Sequence, residues 1–252
     1  MHCVSTREDF ISLIEKVRIR FKKQNSSRFI SHHDLMKLLE RAVRRAKIPI
    51  RMSEGFNPRQ KISFPLALAV GIEGLDEVVE MELNEWMQPS TLLNQLRAQL
   101  PQGIEITTVE LASPGESGQV DDVTYRIKLP THHLLGGDGA SLTQVVPETP
   151  SRGGCPPSFG RTDSPWRTKI NELLQSKEVT VCREKEGEKR YFNIRPSIID
   201  IVAGTDFFEL RLRATAEGMA RPEEVISVLG LDKEVDCRLF EITRTKVKLA
   251  HS

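Results

Sequence analysis

Apolar and basic residues alternate with period two over Val17-Arg18-Ile19-Arg20-Phe21, which predicts a first strand with one face on a core. Arg18, Arg20 and Lys22 fall on its other face. Ser31 then offers an N-cap and Asp34 a first-turn carboxylate for a helix running to about Lys47. Leu35, Leu39, Ala42 and Ala46, flanked by Met36, Leu38 and Val43, form its buried stripe, and Pro49 ends it. Ile48–Met52 suits a short strand. Ser53, Gly55, Phe56, Asn57 and Pro58 mark a turn in which Gly55 permits positive φ and Asn57 closes an Asx-type bend. The apolar Lys61–Val70 continues the sheet or crosses beneath it, and Glu77–Leu83 alternates into a strand with one acidic face. Ser90 caps a second helix through Leu100, and Ile104–Leu111 is a further strand. The order is β-α-β-β-α-β, the ferredoxin-like arrangement.

After a linker at Ala112–Asp122 the same order is read again. Val123–Leu129, Val179–Arg183, Phe207–Arg213 and Cys237–Thr243 are its strands, with Ser197–Val202 as an extra hairpin arm. Trp166–Gln175 and a segment opened by Pro222 through Leu229 are its helices. The 31 residues Leu134–Ser164 hold six Gly, four Pro, four Ser and three Thr, too little apolar surface to offset ordering entropy. The fold class expected is α+β. Its parts are an N-terminal extension 1–16, a ferredoxin-like domain 17–112, and a second one 123–252 carrying a disordered insertion 134–164.

Charge adds a feature that hydropathy alone does not show. From Val17 to Lys61 there are thirteen Lys and Arg against three Asp and Glu, a balance of +10 in a chain of net charge +1. Such concentration points to a face for an anionic partner, RNA above all. Arg28, Lys37, Arg41, Arg44, Arg45, Arg59 and Lys61 are the candidate phosphate ligands, although Glu40 is spaced to pair with Arg44. No apolar run reaches bilayer length and the start has no signal-peptide h-region, so no membrane association and a cytoplasmic location are expected. Cys3, Cys155, Cys182 and Cys237 make no CxxC pair and no CxxxCxxC. A disulfide framework, a structural zinc site and an iron–sulfur cluster for radical S-adenosylmethionine (SAM) chemistry are therefore not expected, and neither is any other metal or cofactor.

The residues Arg28-Phe29-Ile30-Ser31-His32-x-Asp34-Leu35-Met36, Glu40-Arg41-Ala42-x-Arg44-Arg45-Ala46 and Ser53-x-Gly55-Phe56-Asn57-Pro58-Arg59-x-Lys61-Ile62-Ser63-Phe64 resemble a bacterial family of unknown function. Its members are radical SAM-linked or radical SAM-associated proteins, fused to a radical SAM protein or encoded beside one. Family members usually have proline where this chain has Gln60. The resemblance implies cooperation with a separate radical SAM protein, possible involvement in RNA modification, and no particular catalytic residue.

His32 and Asp34 are weak candidates for acid–base or phosphate-binding roles, against the plainer reading of a helix cap. His32 and His33 point about 100° apart on a helix and make a poor chelate. His132 and His133 have no defensible mechanism. Phe56 is either a base-stacking ring or, the favoured reading, a plug beneath its turn. Three functions stay open: an accessory module presenting RNA or another phosphate-rich substrate, an RNA-processing or RNA-modifying enzyme, and a protein-docking subunit.

Overall fold

In a computed structural model that describes residues 15–112, 118–130, 165–185, 187–215, 218–233 and 239–250, the opening alternation becomes β1, Glu15–Lys23. Val17, Ile19 and Phe21 are buried as the period predicts, but so are Arg18 and Lys23. Helix α1, His32–Arg45, buries Leu35, Leu39, Ala42 and Val43. The Ser31 hydroxyl accepts from the Asp34 amide at 3.1 Å and donates to the Asp34 carboxylate at 2.7 Å, which satisfies an orphan amide of the first turn. The helix stops two residues short of the expected Lys47, which sits at φ 53 in the left-handed region.

Ile48–Met52 makes only isolated bridges, Ile50 to Leu83 and Met52 to Gln60, so it forms one side of a projecting arm rather than a strand. A two-residue strand β2, Ile62–Ser63, follows and pairs with β3, Glu73–Leu83. Helix α2 spans Pro89–Arg97, and its N-cap is Gln88 rather than Ser90, because Pro89 occupies the first turn where no amide is needed. Strand β4, Ile104–Leu111, runs antiparallel to β1. Gly103 leads into it at φ +90, and a Cβ there would lie 2.8 Å from the Gln24 carbonyl oxygen and 2.7 Å from Ser27 Oγ. Gly103→Ala is expected to cost roughly 1–3 kcal/mol of stability, read as a lowered urea midpoint with an unchanged slope.

The second half contains β5 (Val120–Lys128), α3 (Pro165–Gln175), β6 (Thr180–Lys185), β7 (Glu188–Asn193), β8 (Ile198–Ala203), β9 (Phe207–Arg213), α4 (Pro222–Val228) and β10 (Glu241–Leu249). The expected roles of two strands are exchanged. β6 pairs only with β7, which the sequence reading missed, in a separate hairpin, while β8 joins the main sheet. Burial explains the exchange: Ile198 and Ile201 reach the core, whereas the β6–β7 sequence is dominated by charge. The closing strand is also displaced from Cys237–Thr243 to Glu241–Leu249.

The result is a mixed α+β fold built largely of sheet. The main sheet runs β4-β1-β3-β10-β5-β9-β8, with β2 on β3. One edge of β3 is shared, since β2 pairs at Met81 and Glu80 while β10 pairs in parallel at Glu73 and Gly74. Two apolar clusters lie along the sheet, and Leu68, Ile72 and Val78 from the first half pack into the second cluster. The two halves thus share a core at their seam. The insertion at Leu134–Ser164, His132 and His133, and residues 1–14 of the expected extension lie outside the described residues.

Candidate functional site

Six of the thirteen cations of the basic segment are paired with acidic strand residues far away in sequence. Arg18 pairs with Glu80 at 3.0 Å, Arg20 with Asp76 at 2.7 Å and Lys22 with Glu105 at 3.3 Å. Arg51 and Lys61 share Glu82 at 3.2 and 3.1 Å, and Arg28 lies 3.9 Å from Glu73 with its guanidinium over Phe29. Antiparallel register places Arg18 directly opposite Glu80, where opposite charges attract. The strand cations therefore do not form the open charged face that alternation predicted.

Five cations are different. Lys37, Arg41, Arg44, Lys47 and Arg59 are exposed, and their side chains have no ion-pair or hydrogen-bond partner among the described residues. The expected Glu40–Arg44 pair is not formed. Helical spacing puts Lys37, Arg41 and Arg44 on one side of α1. Lys37 and Arg41 line a hollow of about 560 Å³ between α1 and residues 98–101. Arg45 borders the same hollow but is held by Gln99, through its side chain at 3.1 Å and its carbonyl at 2.7 Å. Of the seven candidate phosphate ligands, Lys37, Arg41, Arg44 and Arg59 are left available, while Arg28, Arg45 and Lys61 are engaged. Lys47 was not among the candidates.

The arm at residues 51–61 is held to β3 by Arg51 N–H donating to Glu82 O at 2.7 Å and Glu82 N–H donating to Lys61 O at 3.1 Å. Its turn is closed by Ser53, whose N–H donates to Arg59 O at 2.7 Å and whose hydroxyl accepts from Arg59 N–H at 2.9 Å. Asn57, the expected closing residue, is exposed and makes no hydrogen bond through its side chain among the described residues. Gly55 sits at φ +121, as the turn required. Phe56 at the tip is fully exposed, at 104% of the reference area, so it plugs nothing.

His32 and Asp34 face different surroundings. His32 meets the ring of Phe64 edge-on at 5.0 Å and borders a cleft of about 1400 Å³. Residues 67–70, Tyr125, the β6–β7 hairpin and the start of α4 complete that cleft. Arg183 fixes the hairpin there, donating to Glu224 at 2.6 and 3.0 Å and to Met219 O at 3.0 Å. The Asp34 carboxylate instead accepts from the Ser31 hydroxyl that caps α1, and lines the smaller hollow. The pair is not brought together as an acid–base couple.

A buried polar group that the sequence did not reveal lies beneath the cleft. Arg244 of β10 donates to both carboxylate oxygens of Glu77 on β3, and to Ala67 O at 3.1 Å and Leu66 O at 3.3 Å. Burial pulls the Arg244 guanidinium down, but the hydrogen bond and charge of Glu77 outweigh it and the net direction is up. Burial lowers the Lys23 ammonium against the opposing pull of Glu77, and raises the Tyr125 phenol against Arg244. Lys23 donates to Ile30 O at 2.7 Å, tying the segment before α1 to the same network. Among the described residues no group of three or more His, Cys, Asp or Glu could hold a metal ion, and no helix is long and apolar enough to cross a membrane.

The α1 face, the arm and all of the cleft but its Glu223 and Glu224 margin fall within residues 16–222, which match the family model described as "Uncharacterized protein conserved in bacteria (DUF2344)". The chain belongs to DUF2344. The DUF2344 match takes in both His32 and the arm and ends before β10, so the Glu77 side of the buried pair lies inside it and Arg244 outside. The DUF2344 description names no radical SAM partner. No curated protein matches the chain.

Proposed function

We propose that this DUF2344 protein is an accessory module that binds RNA, or another phosphate-rich substrate, for a separate radical SAM enzyme. The observation that carries the binding part is the set of exposed cations on α1 without acidic partners, in a segment whose other cations are largely paired. Lone exposed cations suit phosphate contacts, because a cation already paired with a carboxylate must give up that pair before it can neutralise a phosphate and displace the nucleic acid's counterions. The partner rests on the resemblance in the Ser31–Asp34 and Gly55–Pro58 motifs. The absence of CxxxCxxC from the sequence supports putting any radical chemistry in another polypeptide.

The scaffold for this role is read as two tandem ferredoxin-like units. Supporting that reading, antiparallel order β4-β1-β3-β2 recurs as β10-β5-β9-β8, and each half inserts a hairpin arm between its first helix and its edge strand. An enzyme acting through His32 and Asp34 is less well supported, since the Asp34 carboxylate is bonded to the capping Ser31 hydroxyl and the two side chains border different hollows.

The test is RNA binding at low ionic strength by the full chain and by Arg41→Ala/Arg44→Ala. The expected result is measurable binding by wild type and roughly 10-fold or greater weakening in the double variant with an unchanged melting temperature. Equal binding by both proteins, or no binding by wild type, would remove the proposal.

A further inference from the structure

We infer that the arm tip is a stacking platform for an unpaired nucleobase, so that the RNA this protein takes is single-stranded where it meets Phe56. The inference deepens the RNA reading above and rests on it. Phe56 is exposed over its whole surface. An apolar ring left in water gives nothing to the fold, so its position is not explained by packing.

The hairpin that carries the ring is anchored at its base. Met52 bridges Gln60, Ser53 closes the turn with two hydrogen bonds to Arg59, and both sides of the arm bond the backbone of Glu82. Gly55 at φ +121 makes a bend that a side-chain-bearing residue would strain. A ring on an anchored hairpin loses little freedom when a base stacks on it, unlike a ring on a loose loop.

Charge selects the occupant. On the arm Arg51 and Lys61 are engaged by Glu82, whereas the Arg59 side chain has no partner among the described residues. Lys47 and Arg44, also without partners, lie just upstream where α1 gives way to the arm. An exposed aromatic ring on the same arm as an available guanidinium is the pairing that single-stranded nucleic acid sites use, with bases on the ring and phosphates on the cations. A duplex, whose bases are already stacked on one another, offers the ring no free face. The exposed Asn57 amide beside the ring has donors and an acceptor suited to a base edge.

The experiment compares three RNA probes of equal length with the full chain: a single strand, the same strand with abasic sugars, and a duplex. Wild type should favour the base-bearing strand over the abasic one by roughly 5- to 100-fold, the range expected for one stacked base. Phe56→Ala should erase that preference while leaving salt-dependent binding to the abasic strand intact. Phe56→Trp should keep the preference and show indole quenching on binding. If wild type binds the single and abasic strands alike, or Phe56→Ala keeps the preference, the stacking inference is overturned while the phosphate-binding proposal survives. That result would also fit a ring reserved for a protein partner. Absence of binding to all three probes at low salt would sink both.

Discussion

Arg244→Ala should lower the free energy of unfolding by about 3–5 kcal/mol, the cost of leaving one partner of a buried ion pair uncompensated. Arg244 and Glu77 are both almost wholly buried, at 1% and 2% exposure, and the guanidinium also satisfies the carbonyls of Leu66 and Ala67. Removing it orphans a carboxylate and two carbonyl oxygens at once, at the seam where β3 meets β10. Glu77 fills the space that the missing Cβ of Gly74 leaves open, and buried Lys23 remains as a positive charge that acts on it. Replacing both members with apolar residues, Arg244→Met with Glu77→Leu, should recover much of the loss, since desolvation of both charges is then avoided. Urea denaturation of the two variants checks this. A single variant within ~1 kcal/mol of wild type would show that water enters the seam.

RNA affinity should fall roughly 100-fold between 50 and 200 mM salt, from about five phosphate contacts at a slope near −0.7 each for single strands. The five are Lys37, Arg41, Arg44, Lys47 and Arg59. Arg41→Ala/Arg44→Ala leaves about three contacts, and the same salt interval should then cost only about 20-fold. Arg20→Ala, by contrast, should leave the slope unchanged, because its guanidinium is committed to Asp76 and to the Val247 carbonyl. A slope near −9 would mean that all thirteen basic side chains take part and that the strand ion pairs open on binding. Filter binding or fluorescence anisotropy across a salt series measures it.

What the sequence disclosed is what local chemistry decides. The Ser31–Asp34 cap, the apolar stripe of α1 and the glycine bend at Gly55 each depend on residues within one turn of one another, and each is found. The state of the charges depends on cross-strand register instead. Nothing near Arg18 or Lys61 signals that Glu80 and Glu82 will lie beside them. Phe56 was misread because an apolar residue in a turn was assigned to a core that does not reach it. β10 was misplaced because Thr243-Arg244-Thr245-Lys246 reads as surface, although Arg244 is among the largest buried side chains of the protein. Lys47 was passed over as a ligand because its significance comes from where α1 unwinds.

β10 follows every other described strand in sequence yet lies between β3 and β5. Ribosomal synthesis therefore produces every other described strand before the one that joins them. Until Leu249 has been made, the Glu73–Gly74 edge of β3 and the matching edge of β5 both wait with backbone groups that β10 will later pair. The halves are thus sewn together by their final stitch. The slowest pairings during folding should be those spanning Gly74 and Arg244, which are separated by most of the chain's length.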